Sequence, residues 1–260
     1  MKESLLPQCY CEYPMSGPPN QILLVTPVWN DAARLAEFGA TLATALAASP
    51  LAVRWVIADD GSRAGEHARL TELKNAFALV FAGVELHFAA HHRGKGAVVR
   101  EAWALAPGAA WLAFVDADGS VTAAGMLDLI ALAVAAESSV LGIRKRTATT
   151  AVVVSWWRGL AHRGYLFAAD LLLDLQCEDP QCGAKILHGA DYRRIAPSLV
   201  EHGLAFDSEL LCSLKRDGAS WREIPVNWIQ KKGGRVHPLR DAWGMLASLL
   251  RIRHKFARGR

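Results

Sequence analysis

Short apolar runs alternate with helix-patterned segments through the first half of the chain, and each run leads into a polar cluster. Gln21–Thr26 (QILLVT) stops at Pro27, and Val53–Ala58 (VRWVIA) stops at Asp59-Asp60-Gly61-Ser62. Val84–Phe88 precedes His92-Arg93-Gly94-Lys95-Gly96, and Trp111–Val115 (WLAFV) ends at Asp116-Ala117-Asp118. Helical spacing fills the intervals at Asp31–Ala48, Glu66–Phe77 and Ala97–Ala106. Alternation of this kind predicts an α/β fold, a mostly parallel sheet covered by helices. In open sheets of that class ligands bind beyond the carboxyl ends of the strands, so the polar clusters should share one crevice.

The second half is patterned differently. Helices are expected at Met126–Ala136 and Phe206–Arg216, and strands at Val140–Ile143, Ala184–His188 and Arg222–Trp228. Ala151–Leu175 is a long amphipathic stretch rich in Trp, Leu and Val, and Asp241–Phe256 reads as a basic amphipathic helix. A chain of 260 residues with 52% hydrophobic residues can bury a sizeable core. The division expected is a tail at 1–20, one domain at 21–236 and a basic C-terminal extension at 237–260.

A net charge of +4 is too mild to imply nucleic-acid binding. The excess is local: Lys231 to Arg260 holds nine Lys/Arg and one acid, Asp241. Cys9, Cys11, Cys177, Cys182 and Cys212 are too scattered for a disulfide framework or a zinc site and read as reduced thiols. The N-terminus has no apolar core of a secretory signal, and no run reaches the roughly 18 apolar residues of a membrane span. A cytoplasmic protein able to lie on a membrane surface is the expectation.

Two aspartates, Asp116 and Asp118, end a buried strand two residues apart, where the following turn can aim both at one hard cation. Their oxygens suit Mg²⁺ or Mn²⁺, which would bridge to a diphosphate. The same residues also fit a solvated turn that caps the next helix. Asp60 offers a carboxylate to a base N–H or a ribose hydroxyl, or else it caps its own turn. Gly94 and Gly96 allow close approach of backbone amides to phosphate, with Arg93 and Lys95 to neutralise it. Two carboxylate loops and one cationic glycine loop on a single sheet edge together point to a nucleotide diphosphate site.

These residues also carry a resemblance. LLVTPVWND, VIADDGS, HRGKGAVVREAW and FVDADGS, in this order, resemble the nucleotide-binding half of family 2 inverting glycosyltransferases of the GT-A fold. CEDPQCGAKILHG, AFDSELL and EIPVNW are similar to the dolichyl-phosphate glucosyltransferase branch of polyprenyl-phosphate glycosyltransferases. The resemblance implies a Rossmann-like α/β/α sandwich binding a nucleotide-sugar, a UDP-sugar in preference to a GDP-sugar, through Pro27, Trp29, Asp60, Arg93, Lys95 and Asp116. Trp29 would stack on the base, with Asp60 contacting it, and Asp116 and Asp118 would carry the metal. Asp118, Gln181, Asp207 and Glu209 would form the catalytic end. Pro180, Ala184 and Cys177-Glu178 depart from the branch's Thr, aromatic and Ile-Arg.

A polyprenyl phosphate acceptor is already ionised at neutral pH, so cations to position it matter more than a strong base. By the resemblance Arg144 and Arg158 match basic positions of the lipid-phosphate glycosyltransferases, with His162 one helical turn beyond Arg158 and Trp156, Trp157, Tyr165, Leu166 and Phe167 as lipid-facing neighbours. Arg158, His162 and Arg163 also fit the wet face of a surface helix. The C-terminal helix, with Trp243, Leu246, Leu249, Leu250 and Ile252 among its cations, is expected either to dock at the membrane surface or to pack on the domain. Two alternatives remain: transfer to a saccharide or other soluble hydroxyl with Asp207 or Glu209 as general base, and a nucleotide-sugar-binding relative without turnover.

Overall fold

The computed structural model describes residues 21–231 and 238–258, the side chains of 156–158, 161, 238–243 and 258 excepted. The expected tail at 1–20 lies outside the described residues, as do the boundary at 236/237 and the side chains of Trp156, Trp157, Arg158 and Trp243.

The elements in chain order are β1 (Ile22–Val28), α1 (Ala32–Ala48), β2 (Val53–Asp59), α2 (Ala64–Ala78), β3 (Val84–Phe88), α3 (Lys95–Ala104), β4 (Trp111–Val115) and α4 (Ala123–Ala136). There follow β5 (Ser139–Ile143), β6 (Val152–Val153), α5 (Trp156–Leu173), β7 (Ala184–His188), α6 (Gly189–Ile195), α7 (Phe206–Arg216), β8 (Trp221–Pro225), β9 (Trp228–Ile229) and α8 (Pro238–Arg258). Seven strands form one sheet in the order β3-β2-β1-β4-β7-β5-β8. All neighbours pair in parallel except β7, which runs antiparallel to both β4 and β5.

The apolar runs are continuous because both faces of the sheet are covered. Along β1, Ile22 and Leu24 pack under α1 and α4, whereas Leu23 and Val25 enter a second core with α3, α6 and α7. The α/β/α layering expected from the alternation is what the chain adopts. Strand order reverses between β1 and β4, and such a switch point opens a crevice at the strands' carboxyl ends.

Three differences from the sequence reading have local causes. The direction of β7 is invisible in an apolar run of five residues. The expected strand Arg222–Trp228 divides, with β8 ending at Pro225, which has no N–H for the ladder, and β9 pairing with β6 instead. The expected extension is α8, whose Leu249 and Ile252 are buried in the second core. These two residues of the apolar stripe pack on the domain; Leu250, 51% exposed, remains on the surface.

Candidate active site

The three loops predicted to converge leave parallel strands at one edge of the sheet: β2 leads to Asp60, β3 to Arg93 and then Lys95 at the start of α3, and β4 to Asp116 and Asp118, with Trp29 following β1 at the same edge.

Asp116 leaves β4 with its amide donating to the Gly183 carbonyl at 2.9 Å. Its Oδ1 lies 2.8 Å from Lys95 Nζ, and the same ammonium is 3.5 Å from Asp207 Oδ2. Burial by itself would lower the Lys95 pKa, but the Asp116 and Asp207 carboxylates outweigh it and hold the ammonium above its ordinary range. Burial pushes the Asp116 carboxyl up; Lys95 opposes this, and the neighbouring Asp118 and Asp207 charges add to it. Asp118 Oδ1 accepts from the Ser120 amide at 2.9 Å, and its Oδ2 lies 3.5 Å from Arg34 on α1. Arg34 was not singled out in the sequence, although Asp31 three residues earlier fixes it with a hydrogen bond of 2.6 Å to its Nε.

The donor set fits a hard divalent cation: two carboxylates at one strand end, one of them raised by burial and by the other's charge, a penalty that a cation relieves. Among the described residues no group of three or more His, Cys, Asp or Glu gathers around a metal position. A metal here would therefore share Asp116 and Asp118 with oxygens of the diphosphate itself.

Gly183 is a site residue that the sequence reading missed. A Cβ there would fall 1.9 Å from Asp116 Oδ2, so only glycine lets the carboxylate take its position. Its signal is its place after Gln181-Cys182, but the reason is visible only in three dimensions. Gly94 and Gly96 answer to packing as well. A Cβ on Gly94, whose φ is +110°, would meet the His202 carbonyl at 2.6 Å, and one on Gly96 would meet Phe206 at 2.3 Å.

Asp60 is 3% exposed and accepts from the Arg93 amide at 2.9 Å and the Gly94 amide at 2.8 Å. His92 Nδ1 lies 2.8 Å from its Oδ2, and the His92 ring stacks on Trp29 with centroids 4.0 Å apart. The Arg93 guanidinium pairs with Glu101 on α3 rather than pointing with Lys95 at Asp116. Pro27 stays within β1, opposite Ala58.

Asp207 is 3% exposed and held between two lysines, with Lys185 Nζ 2.9 Å from Oδ1. Glu209 differs from expectation. It is fully buried, accepts from the amides of Val200 and Glu201, and pairs with Lys255 of α8 at 2.7 Å. One helical register turns Asp207 to the crevice and Glu209 to α8, so the structure separates two residues that the motif joined.

Arg144, His162 and Gln181 do gather, around Asp179, a residue the sequence reading did not weigh. Arg144 grips Asp179 with Nε and Nη2, both at 2.7 Å, and donates its amide at 2.9 Å. Burial alone would raise the Asp179 carboxyl; the Arg144 guanidinium outweighs it and holds the carboxyl below its ordinary range. His162 is pushed down, first by burial and then by Arg144, and its Nδ1 lies 3.2 Å from Gln181 Oε1. Arg158, the third cation expected here, has a side chain outside the described residues. Gln181 Nε2 approaches Met245 Sδ at 4.0 Å, and Met245 lines a cavity of about 770 Å³ between α8 and residues 200–205.

Comparison with known proteins gives the family and the fold. The profile of glycosyl transferase family 2 matches residues 23–188, the stretch from β1 to β7. The chain belongs to glycosyl transferase family 2. Dolichyl-phosphate beta-glucosyltransferase of Saccharomyces cerevisiae is 27% identical over 224 residues, covering 79% of this chain and 66% of that protein. The Dictyostelium discoideum protein of the same name is 28% identical over 174 residues, covering 65% of this chain and 53% of that one. The chain thus spans two thirds or less of the length of these relatives. Glucosyl-3-phosphoglycerate synthase from Mycobacterium tuberculosis, solved with Mn²⁺, UDP and glucosyl-3-phosphoglycerate, superposes with a TM-score of 0.60 at 15% identity. That superposition covers 90% of this chain and 78% of that one, and it shows the fold. Family 2 membership and the GT-A fold, expected from the motifs, are borne out, and the two relatives just named are of the branch that the motifs resemble.

Proposed function

We propose that this family 2 glycosyltransferase moves a hexose, glucose from UDP-glucose, onto a polyprenyl or dolichyl phosphate with inversion, at the cytoplasmic face of a membrane. The observation that carries the donor half is the Lys95–Asp116 pair, Nζ to Oδ1 at 2.8 Å, at the sheet edge where β1 and β2 also lead to Trp29 and Asp60. Asp116 and Asp118 would hold Mg²⁺ or Mn²⁺, which supplies charge stabilisation to the departing diphosphate. Lys95 adds a second cation on the same side, and Trp29 supplies a flat face for the base.

The acceptor half draws on what the carboxylates are doing. A hydroxyl acceptor needs a general base, yet Asp207 is clamped by Lys95 and Lys185, and Glu209 is buried against Lys255. A phosphate acceptor arrives already ionised and needs neither. Arg144 and His162 beside Gln181 supply donors to orient it, and the cavity beside Met245 suits the first apolar units of its chain. Leu160, Phe167 and Leu171 lie exposed along α5 with Arg163 among them, an apolar stripe with a cation that favours an anionic lipid surface. Among the described residues no helix is long and apolar enough to cross a membrane.

The test is transfer of labelled glucose from UDP-glucose to dolichyl phosphate, set against a panel of saccharide acceptors. Product in the lipid phase alone is expected. Transfer to a saccharide that ignores lipid phosphate and depends on Asp207 would select the hydroxyl-acceptor reading.

A further inference from the structure

The crevice uses Lys95, but a second lysine behind it has no place in the reaction as described. Lys185 lies mid-strand on β7, opposite Phe114 of β4 and Leu141 of β5, and is 0% exposed. Its neighbours along the strand are Ala184, Ile186 and Leu187, all buried. Putting an ammonium into such a core is strongly unfavourable unless a counter-charge accompanies it, and a methionine would fill the same space without that cost.

Lys185 has one carbonyl and one carboxylate as partners. Its Nζ donates to the Cys182 carbonyl at 2.8 Å and meets Asp207 Oδ1 at 2.9 Å. It also lies 5.2 Å from the centroid of the Phe114 ring, over which Lys95 Nζ sits at 4.5 Å. The charges therefore alternate inward from the crevice: Asp116, Lys95, Asp207, Lys185. Two acids and two bases make a neutral set, and the two ends differ. The Lys185 side chain is enclosed at 0% exposure, whereas that of Lys95 reaches the crevice at 16%.

We propose that Lys185 is a positioning residue, a fixed counter-ion on Asp207 that leaves the Lys95 ammonium available to the donor's diphosphate. Without Lys185, the buried Asp207 carboxylate has Lys95 as its one remaining ion-pair partner among the described residues and draws it back from the crevice. With Lys185 in place, Asp207 is neutralised from behind and steadies Lys95 without capturing it. The inference rests on the nucleotide diphosphate reading of the crevice and adds to it a named control of Lys95.

Calorimetric binding of UDP in the presence of Mn²⁺ tests this without relying on turnover. Folding of each variant is verified by circular dichroism. Lys185→Met should weaken binding about tenfold, the loss of one charge-assisted contact. In a Lys95→Met background the same change should cost less than about twofold, because its effect passes through Lys95. Wild-type affinity in Lys185→Met, or an equal loss in both backgrounds, overturns the proposal. Should Lys185→Met fail to fold, the pair Lys185→Met/Asp207→Asn decides. With both charges gone nothing draws Lys95 back, so binding within about threefold of wild type is expected, and a loss of about tenfold overturns it. A wild-type protein that does not bind UDP with Mn²⁺ refutes the nucleotide reading itself, and this inference with it.

Discussion

The imidazole of His92 stacks on the indole of Trp29, with ring centroids 4.0 Å apart and planes 13° from parallel, while its Nδ1 sits 2.8 Å from Asp60 Oδ2. A flat ring on the tryptophan with a nitrogen at the aspartate reproduces both contacts proposed for a nucleobase. On the proposed placement of the base, His92 would compete with it for Trp29 and Asp60.

The first prediction follows from that competition. Trp29→Ala should weaken UDP binding by about fivefold or more, the loss of one base–aromatic stack. His92→Ala should tighten it by roughly two- to fivefold, because the internal ring no longer has to leave. Calorimetry on the two variants checks the pair of signs, and weaker binding in His92→Ala removes the competition.

Gly183 gives a second prediction. A methyl group 1.9 Å from Asp116 Oδ2 must displace the carboxylate, since the glycine backbone is fixed by the bond from the Asp116 amide to its carbonyl. Gly183→Ala should cost about tenfold or more in turnover with the fold retained, a misplacement effect at the reacting centre. Steady-state rates beside a thermal melt separate this from unfolding.

Glu209 should behave as a structural residue. Lys255→Met leaves its carboxylate buried without a cation, a loss on the order of 3 kcal/mol in stability. The midpoint of urea unfolding should fall accordingly while turnover per folded molecule stays within about twofold. A stable variant with abolished turnover would return Glu209 to the catalytic set.

How much of this was legible follows the range of each interaction. The strands carrying Asp60 and Asp116 were readable because burial on both sheet faces writes itself as a run of apolar residues, and their ends mark the crevice. The partners were not. Asp179 meets Arg144 from 35 residues away, and Lys255 meets Glu209 from 46. Nothing in either local pattern encodes such a pairing. Asp207 and Glu209 looked equivalent in one motif, yet two steps of a helix point them to opposite surroundings. The basic pattern of the C-terminal helix fitted a membrane or the domain equally well, and buried Leu249 and Ile252 decide for packing on that side.

The Asp179–Arg144 pair sets a dependence on pH. Asp179 has a folded-state pKa below its unfolded value, so the folded form binds fewer protons as acid is added. Its stabilisation is complete above about pH 4 and is lost as pH falls through the folded value. His162 is also depressed, and its protonation opposes folding as pH falls below about 6.5. Urea midpoints measured from pH 7 to pH 2.5 should decline in two steps, and Asp179→Asn should remove the lower one.

The central claim is that Asp116 and Asp118 hold a divalent cation together with a nucleotide-sugar diphosphate. Titration of UDP-glucose into the protein with and without Mn²⁺, repeated on Asp118→Ala, tests it most directly. The account predicts binding that requires Mn²⁺ and is lost in Asp118→Ala. Binding indifferent to both the metal and Asp118, or no binding of the nucleotide-sugar at all, contradicts it.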